Sequence, residues 1–324
     1  MLGLINVLKK SLLFQGNLKK KPYFEGWYYK QVSKDSKSAI SFIPGISLNE
    51  NDSHSFIQYI FTHENVNGEP QIESGYIRFE VDEFTWSDKP FAVKIGDNLF
   101  TKNFVSVHLQ NETHQIEGML HLGAFTPIER SLYMPNIMGP FAYIPHMECY
   151  HGVNSMSHEL NGTLDINGES IEFTGGKGYL EKDWGTNFPR DYVWLQCNHF
   201  KNPTTSIFFS NAHIPFYGRE FQGYICNFLL EGKQYRFATY TKTPMEIKIK
   251  EGKRVIVCME DEQYRLILDA ESADQKELIA PIPEGMKKII KEGISGELKI
   301  SFTDKKTGYH YEDVGKMAGI EIVE

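Results

Sequence analysis

Short runs of aromatic and β-branched residues recur along this chain at nearly even spacing, with turn-forming residues between them. In the first half the runs fall at 23–32, 38–44, 55–63, 72–81, 90–95, 103–110, 114–121, 146–153, 157–166 and 169–173. They continue at 177–184, 191–200, 204–213, 221–230, 233–240, 245–249, 253–259, 262–269 and 295–303. Asn67-Gly68, Gly96-Asp97-Asn98, Asn161-Gly162, Asn167-Gly168, Gly232, Gly252 and Thr307-Gly308 mark turns, because Gly and Asn tolerate the backbone angles that tight hairpins require. Regular strands with little helix predict an all-β fold of sandwiches or barrels. Two stretches read as helix. One is residues 1–14, where Leu2, Leu4, Ile5, Leu8, Leu12, Leu13 and Phe14 surround Lys9 and Lys10; the other is residues 284–292.

A faint internal repeat divides the chain. Pro22 precedes Trp27 at the same spacing as Pro189 precedes Trp194. Ser38-Ala-Ile-Ser-Phe follows the first and Ser206-Ile-Phe-Phe-Ser the second, then Gln58-Tyr-Ile-Phe and Gly223-Tyr-Ile-Cys. Three matches in the same order suggest a duplicated β-module. The expected modules are 1–175, with the helix at 1–14, and 176–324, joined at Thr174-Gly-Gly-Lys. Residues 123–144, interrupted by Pro127, Pro135 and Pro140, read either as a cap over a pocket mouth or as a packed crossover.

A net charge of −8 argues against a nucleic-acid surface. The 22 Phe and 17 Tyr suit strands and apolar pockets alike. Cys149, Cys197, Cys226 and Cys258 form no CxxC pair and read as free thiols of a reducing cytosol. No apolar run is long enough to span a bilayer. Lys9 and Lys10 break any signal-peptide core, so a cytoplasmic protein is expected. Residues 1–14 offer either a helix packed on the protein's own sheet or a peripheral membrane contact.

The densest chemistry lies between Gly178 and Phe200. If 177–184 is a strand, Tyr179, Glu181 and Asp183 share one face while Leu180, Lys182 and Trp184 share the other. In the next strand Tyr192, Trp194, Gln196 and Asn198 line one face, and Val193, Leu195 and Cys197 line a core face. Two carboxylates thus stand near aromatic rings and amides. Tyr179-Leu-Glu-Lys-Asp-Trp-Gly, Phe188-Pro-Arg and Trp194-Leu-Gln-Cys-Asn resemble a signature of the tocopherol cyclase family. Tyr23-Phe-Glu-Gly-Trp-Tyr-Tyr-Lys30 resembles that family's N-terminal signature. The family is similar to carotenoid hydratases and related proteins with two lipocalin-like β-domains.

The resemblance implies closure of a chromanol ring, in which the phenol oxygen of a prenylated hydroquinone adds to a trisubstituted alkene. That reaction needs an acid for the alkene, a base for the phenol proton, and exclusion of water. It needs neither cofactor nor metal, and none is expected. Glu181 is the expected acid, with Asp183 its partner and Tyr179 a hydrogen-bond donor. Family members often carry Asn where this chain has Asp183. Trp184 and Trp194 are candidate cation-stabilising walls or core residues. Gln196 and Asn198 are candidates for binding a quinol hydroxyl or for satisfying buried backbone groups. Glu25 and Trp27 share a face of the first block and are candidate substrate contacts, Glu25 being either a second acid or base or a structural carboxylate that accepts backbone hydrogen bonds.

His146-Met-Glu148-Cys149-Tyr-His151 looks like a metal cluster on paper. On a strand, however, His146 and Glu148 face away from Cys149 and His151. His146 is instead the candidate base, because Pro145-His146 followed by Cys149 loosely matches a family position. An apolar carrier without chemistry and a hydratase adding water to an isoprenoid remain the rival functions.

Overall fold

The computed structural model describes residues 11–64, 70–216 and 219–324. Nearly all of the regular structure is antiparallel strand. The first sheet comprises β1 (Tyr23–Val32), β2 (Ala39–Leu48), β3 (His54–Glu64), β4 (Pro70–Phe79), β5 (Phe84–Asp88), β6 (Phe91–Ile95), β7 (Asn98–Thr101), β8 (Phe104–Gln110), β9 (Gln115–Leu122), β10 (Cys149–Ile166), β11 (Glu169–Glu172) and β12 (Lys177–Gly185). The second comprises β13 (Tyr192–Cys197), β14 (Ser206–Phe216), β15 (Arg219–Leu230), β16 (Lys233–Ala238), β17 (Met245–Lys250), β18 (Arg254–Glu260), β19 (Tyr264–Glu271), β20 (Lys276–Ile282), β21 (Gly285–Asp304) and β22 (Tyr309–Val323).

The orders are β4-β3-β2-β1-β12-β10-β9-β8-β7-β6-β5 and β16-β15-β14-β13-β22-β21-β19-β18-β17. Each begins with a four-stranded meander whose first strand pairs with the last long strand of its own module. This shared wiring, rather than the aligned tryptophans, expresses the repeat. Trp27 lies in the core of its unit, whereas Trp194 lies outside the core that Val193, Leu195 and Cys197 form. The two modules are lipocalin-like.

The first compact unit holds residues 1–188 and 277–290, and the second holds 189–276 and 291–324. The expected joint at 174–177 therefore falls just ahead of β12, a strand that pairs with β1 and β10 inside the first sheet. Strands at the middle of the first sheet are covered on both faces. β1 and β2 each bury nine of their ten residues, which is why they read as continuous aromatic and aliphatic runs rather than alternating ones. β18, with one face toward the core, alternates buried and half-buried residues. Trp27, Tyr29, Phe42, Tyr59, Phe84 and Phe100 fill the first core; Leu195, Phe209, Phe228, Leu268 and Phe302 fill the second.

Of the two expected helices, only the second can be compared in full. Most of the stretch 1–14 lies outside the described residues, and Ser11–Leu13 form a turn rather than a helix. Residues 285–292 are the start of β21, not a helix. Gly285 at φ +116° opens the strand out of the β20 hairpin, and Met286 to Ile290 then alternate between exposed and covered positions. Pairing overrides the weak helical propensity of the Lys-Lys-Ile-Ile run. The Asn67-Gly68 turn lies outside the described residues. Residues 123–144 are irregular as expected, except for one 3-10 turn at Gly139–Tyr143, and the strand expected from 146 begins only at Cys149.

Candidate active site

β12 lies between β1 and β10, and its two faces do different work. Register places Trp27 opposite Lys182 and Glu25 opposite Trp184, so these four share the core face. There the Lys182 ammonium, fully buried, lies 2.5 Å from the equally buried Glu25 carboxylate. It also donates to the Leu13 carbonyl at 2.6 Å and sits 4.6 Å from the Trp184 ring and 5.1 Å from the Trp27 ring. Glu25 further accepts the Tyr23 hydroxyl and the backbone N–H groups of Gln15 and Gly16. Trp27 donates its indole N–H to Leu12 at 2.8 Å. A buried ion pair is tolerated only when such extra hydrogen bonds satisfy its remaining valences. Glu25, Trp27 and Trp184 thus belong to a closed cluster that pins residues 11–16, on the face away from Glu181.

The opposite face carries Tyr179, Glu181 and Asp183, as the alternation predicts. β10 adds His151 opposite Asp183 and Val153 opposite Glu181, while β1 adds Tyr28 opposite Glu181. The polar groups form a chain. Asp183 Oδ1 lies 2.7 Å from His151 Nδ1, and His151 Nε2 lies 3.4 Å from Glu181 Oε2. Tyr179 donates its hydroxyl to the same Oε2 at 2.6 Å. Side-chain exposure rises along the chain, from 5% at Glu181 to 13% at His151 and 23% at Asp183.

Burial by itself would lower the His151 imidazole, but the Asp183 and Glu181 carboxylates outweigh it and raise the group from 6.5 to about 10. His151 is therefore protonated at neutral pH. Burial, then the Glu181 charge, pushes the Tyr179 phenol well up, so it remains a donor. Burial and Asp183 likewise hold the Cys149 thiol up, which keeps it from acting as a thiolate. His151, Glu181 and Asp183 offer one ligand atom each within 4.8 Å of one another and could also hold a divalent cation.

Residues 123–148 pack against β10. Thr126 is bonded in both directions to β10, at Met156 and Ser157. The buried Met138 accepts the His151 backbone N–H through its sulfur at 3.2 Å, and Ile137 is fully buried beside it in sequence. Tyr150 donates to the Ile144 carbonyl and stacks on Trp184, their ring centroids 5.6 Å apart.

The structure places His146 on an exposed turn at φ +62°, before β10 begins, and not in the acid–base chain. His151, not His146, lies between Asp183 and Glu181. Its signal in the sequence was strand parity with Cys149, but only the β10–β12 register shows that it meets Asp183. Trp194 and Gln196 lie on β13 of the second unit, on the face opposite the core, and Asn198 follows the strand. Sequence reading missed β22, which brings the buried Glu321 opposite Trp194, where it accepts the Tyr192 hydroxyl.

A model of the family described as tocopherol cyclase-like matches residues 137–323, more than half of the sequence and all of this cluster. The chain belongs to the tocopherol cyclase-like family. It is similar to the chloroplastic tocopherol cyclase of Zea mays, 23% identical over 233 residues that cover 58% of this chain and 48% of that protein. The chain spans about half the length of the curated relatives it matches. In fold it is similar to CghA, with a TM-score of 0.59 and 11% identity over 97% of this chain and 92% of that one. It is also similar to an AttH-type protein of Nitrosomonas europaea, with a TM-score of 0.54 and 11% identity over 93% of both chains. Residues 23–30, the first signature block, lie outside the segment matched by the family model.

Proposed function

We propose that the protein closes a chromanol-type ring by acid-catalysed cyclisation of a prenylated hydroquinone or a similar isoprenoid. The observation that carries this reading is the Asp183–His151–Glu181–Tyr179 chain, which holds a proton at neutral pH on a largely buried face. The cyclisation is an isomerisation, so the proton given to the alkene equals the proton taken from the phenol. One group able to hold and return a proton is sufficient.

In the resting cluster the proton sits on His151, between two carboxylates. An apolar substrate laid against Glu181 removes water and lowers the local dielectric. Separated charge then costs more, which favours transfer of the Nε2 proton to Glu181 and gives a neutral pair. Asp183 holds Nδ1–H throughout and keeps the ring aligned. The Glu181 carboxylic acid adds its proton to the less substituted alkene carbon, leaving a tertiary cation. The phenol oxygen attacks that cation, and the phenol proton returns to the Glu181–His151 pair. Tyr179 steadies the Glu181 carboxylate between the two proton transfers. Exclusion of water decides the outcome, since water reaching the cation would give a tertiary alcohol instead.

The test is incubation with a panel of prenylated hydroquinones, followed by mass analysis and detection of the alkene. Loss of the alkene at unchanged mass supports the proposal. A gain of one water identifies a hydratase, and intact ligand recovered on the protein identifies a carrier.

A further inference from the structure

β1 and β2 are covered on both faces except at one opening. Every residue of β1 is buried but Gly26, and every residue of β2 but Ile43. Gly26 pairs with Asp183 of β12, 23% exposed, and Asp183 pairs with His151 of β10, 13% exposed. These positions adjoin, so the opening ends on the Asp183–His151 pair. Nothing in the backbone asks for glycine at 26. Its φ is not left-handed, and its register with β2 and β12 is unbroken. An added Cβ would meet only Ile43 Cγ2 at 3.6 Å and the Pro44 carbonyl oxygen at 3.9 Å, both ordinary contacts. A glycine inside a strand forgoes packing; where neither bulge nor crowding demands it, it marks a place that another molecule approaches closely. Gly45, directly opposite on β2, is the contrast. A Cβ there would lie 2.5 Å from the Phe56 ring and 2.8 Å from the Glu25 carbonyl oxygen.

The rim states the chemistry of the occupant. Asp183 makes its side-chain bonds with His151 and Cys149 through Oδ1, so Oδ2 is left as an acceptor suited to a hydroxyl donor. Phe24 and Tyr28 flank Gly26 on the same face of β1, and Ile43 completes an apolar floor. A charged acceptor at the edge of an aromatic and aliphatic floor fits a flat aromatic ring that carries a hydroxyl. We propose that the opening at Gly26 binds a phenol, its ring over Gly26 and Ile43 and its hydroxyl donating to Asp183 Oδ2. Gly26 then sets how bulky a head group the site accepts. This deepens the cyclisation reading and rests on it for one point: the bound hydroxyl is the one that does not close the ring.

Methylhydroquinone and its dimethyl ether, neither of which has an alkene, are titrated against the full chain by ligand-observed NMR. The hydroquinone should bind, and the ether should bind about tenfold or more weakly, the worth of a hydrogen bond to a charged acceptor. Gly26→Val should weaken the hydroquinone by roughly tenfold or more, because its side chain fills the opening. Gly26→Ala should melt at or above the wild-type temperature, whereas Gly45→Ala should melt below it. A wild type that binds the hydroquinone no better than the ether, or binds neither, would overturn the proposal. So would undiminished binding by Gly26→Val. A Gly26→Ala variant that melts well below the wild type would make the glycine a packing requirement and overturn it as well. Turnover of a prenylated hydroquinone is assayed separately. Phenol binding that Gly26→Val abolishes, with no turnover by the wild type, would end the cyclisation reading and keep this one. Wild-type turnover that Gly26→Val leaves unchanged would do the reverse.

Discussion

Replacing His151 by Gln should remove a specific pH dependence from the stability of the first unit. In the folded protein the imidazole is raised from 6.5 to about 10, chiefly because two carboxylates outweigh the effect of burial. A group that binds its proton more tightly when folded stabilises the fold fully below its unfolded value. That stabilisation is lost as pH rises through the folded value. The window is therefore about pH 6.5 to 10, with a slope of at most about 1.4 kcal/mol per pH unit. Across the whole window this amounts to about 5 kcal/mol at the limit. Gln keeps the side chain polar but leaves Glu181 and Asp183 without a cation. The advantage of the wild type should thus be several kcal/mol at pH 6 and should shrink toward zero near pH 10. Urea unfolding at a series of pH values measures it. Tryptophan emission is a suitable probe, because Trp27, Trp86 and Trp184 lie in the first unit and only Trp194 in the second. His158 supplies an internal control of opposite sign. Burial lowers it from 6.5 to about 3, so its penalty appears only as pH falls below 6.5. His158→Gln should stabilise the acid side and leave the alkaline slope intact. A wild-type advantage over His151→Gln that stays constant from pH 6 to 10 would refute the assignment of the proton to His151.

Three further outcomes are expected. Glu181→Gln should lower turnover by ~10²- to 10⁴-fold while equilibrium binding of a prenylated ligand stays within a factor of a few; turnover near wild type would remove Glu181 from the chemistry. Lys182→Met should destabilise the protein by about 3–5 kcal/mol in denaturant unfolding, because it strands the buried Glu25 carboxylate. Adding Glu25→Gln should recover much of that loss, and no recovery would contradict the ion-pair account. Gly185→Ala should cost about 3 kcal/mol or more, since a Cβ there would lie 2.0 Å from the Glu148 carbonyl oxygen, a backbone atom that cannot turn aside. Unchanged unfolding would show that the β10–β12 approach is looser than described.

Much of this was legible in the sequence because strand periodicity is local. Alternation alone put Tyr179, Glu181 and Asp183 on one face, and Val193, Leu195 and Cys197 on another. Pairing partners are not local, and there the reading failed. His151 meets Asp183 through β10, a strand with two register irregularities between Val153 and His158, which no alternation rule anticipates. β22 went unseen because Gly315 and Gly319 and its charges interrupt any apolar run. Gly315 is required by close approach, since a Cβ would lie 2.5 Å from Cys197 Sγ. Glu25 was open to reading as a second acid or base or as a structural carboxylate, because sequence gives no sign of Lys182 across the register or of the Gln15 and Gly16 amides that satisfy it; the structure shows the structural arrangement. His146 was the candidate base because Pro145-His146 followed by Cys149 matches a family position loosely, and that match does not show that the chain turns there in a left-handed conformation, ahead of β10.

The most direct measurement is turnover of a prenylated hydroquinone in D2O, with the product analysed by mass and by position of label. A proton delivered from the Glu181–His151 pair should appear as one non-exchangeable deuterium on the former alkene carbon of a ring-closed product, and Glu181→Gln should form none of it. Substrate recovered unlabelled and uncyclised, or labelled product formed equally well by Glu181→Gln, would contradict the account.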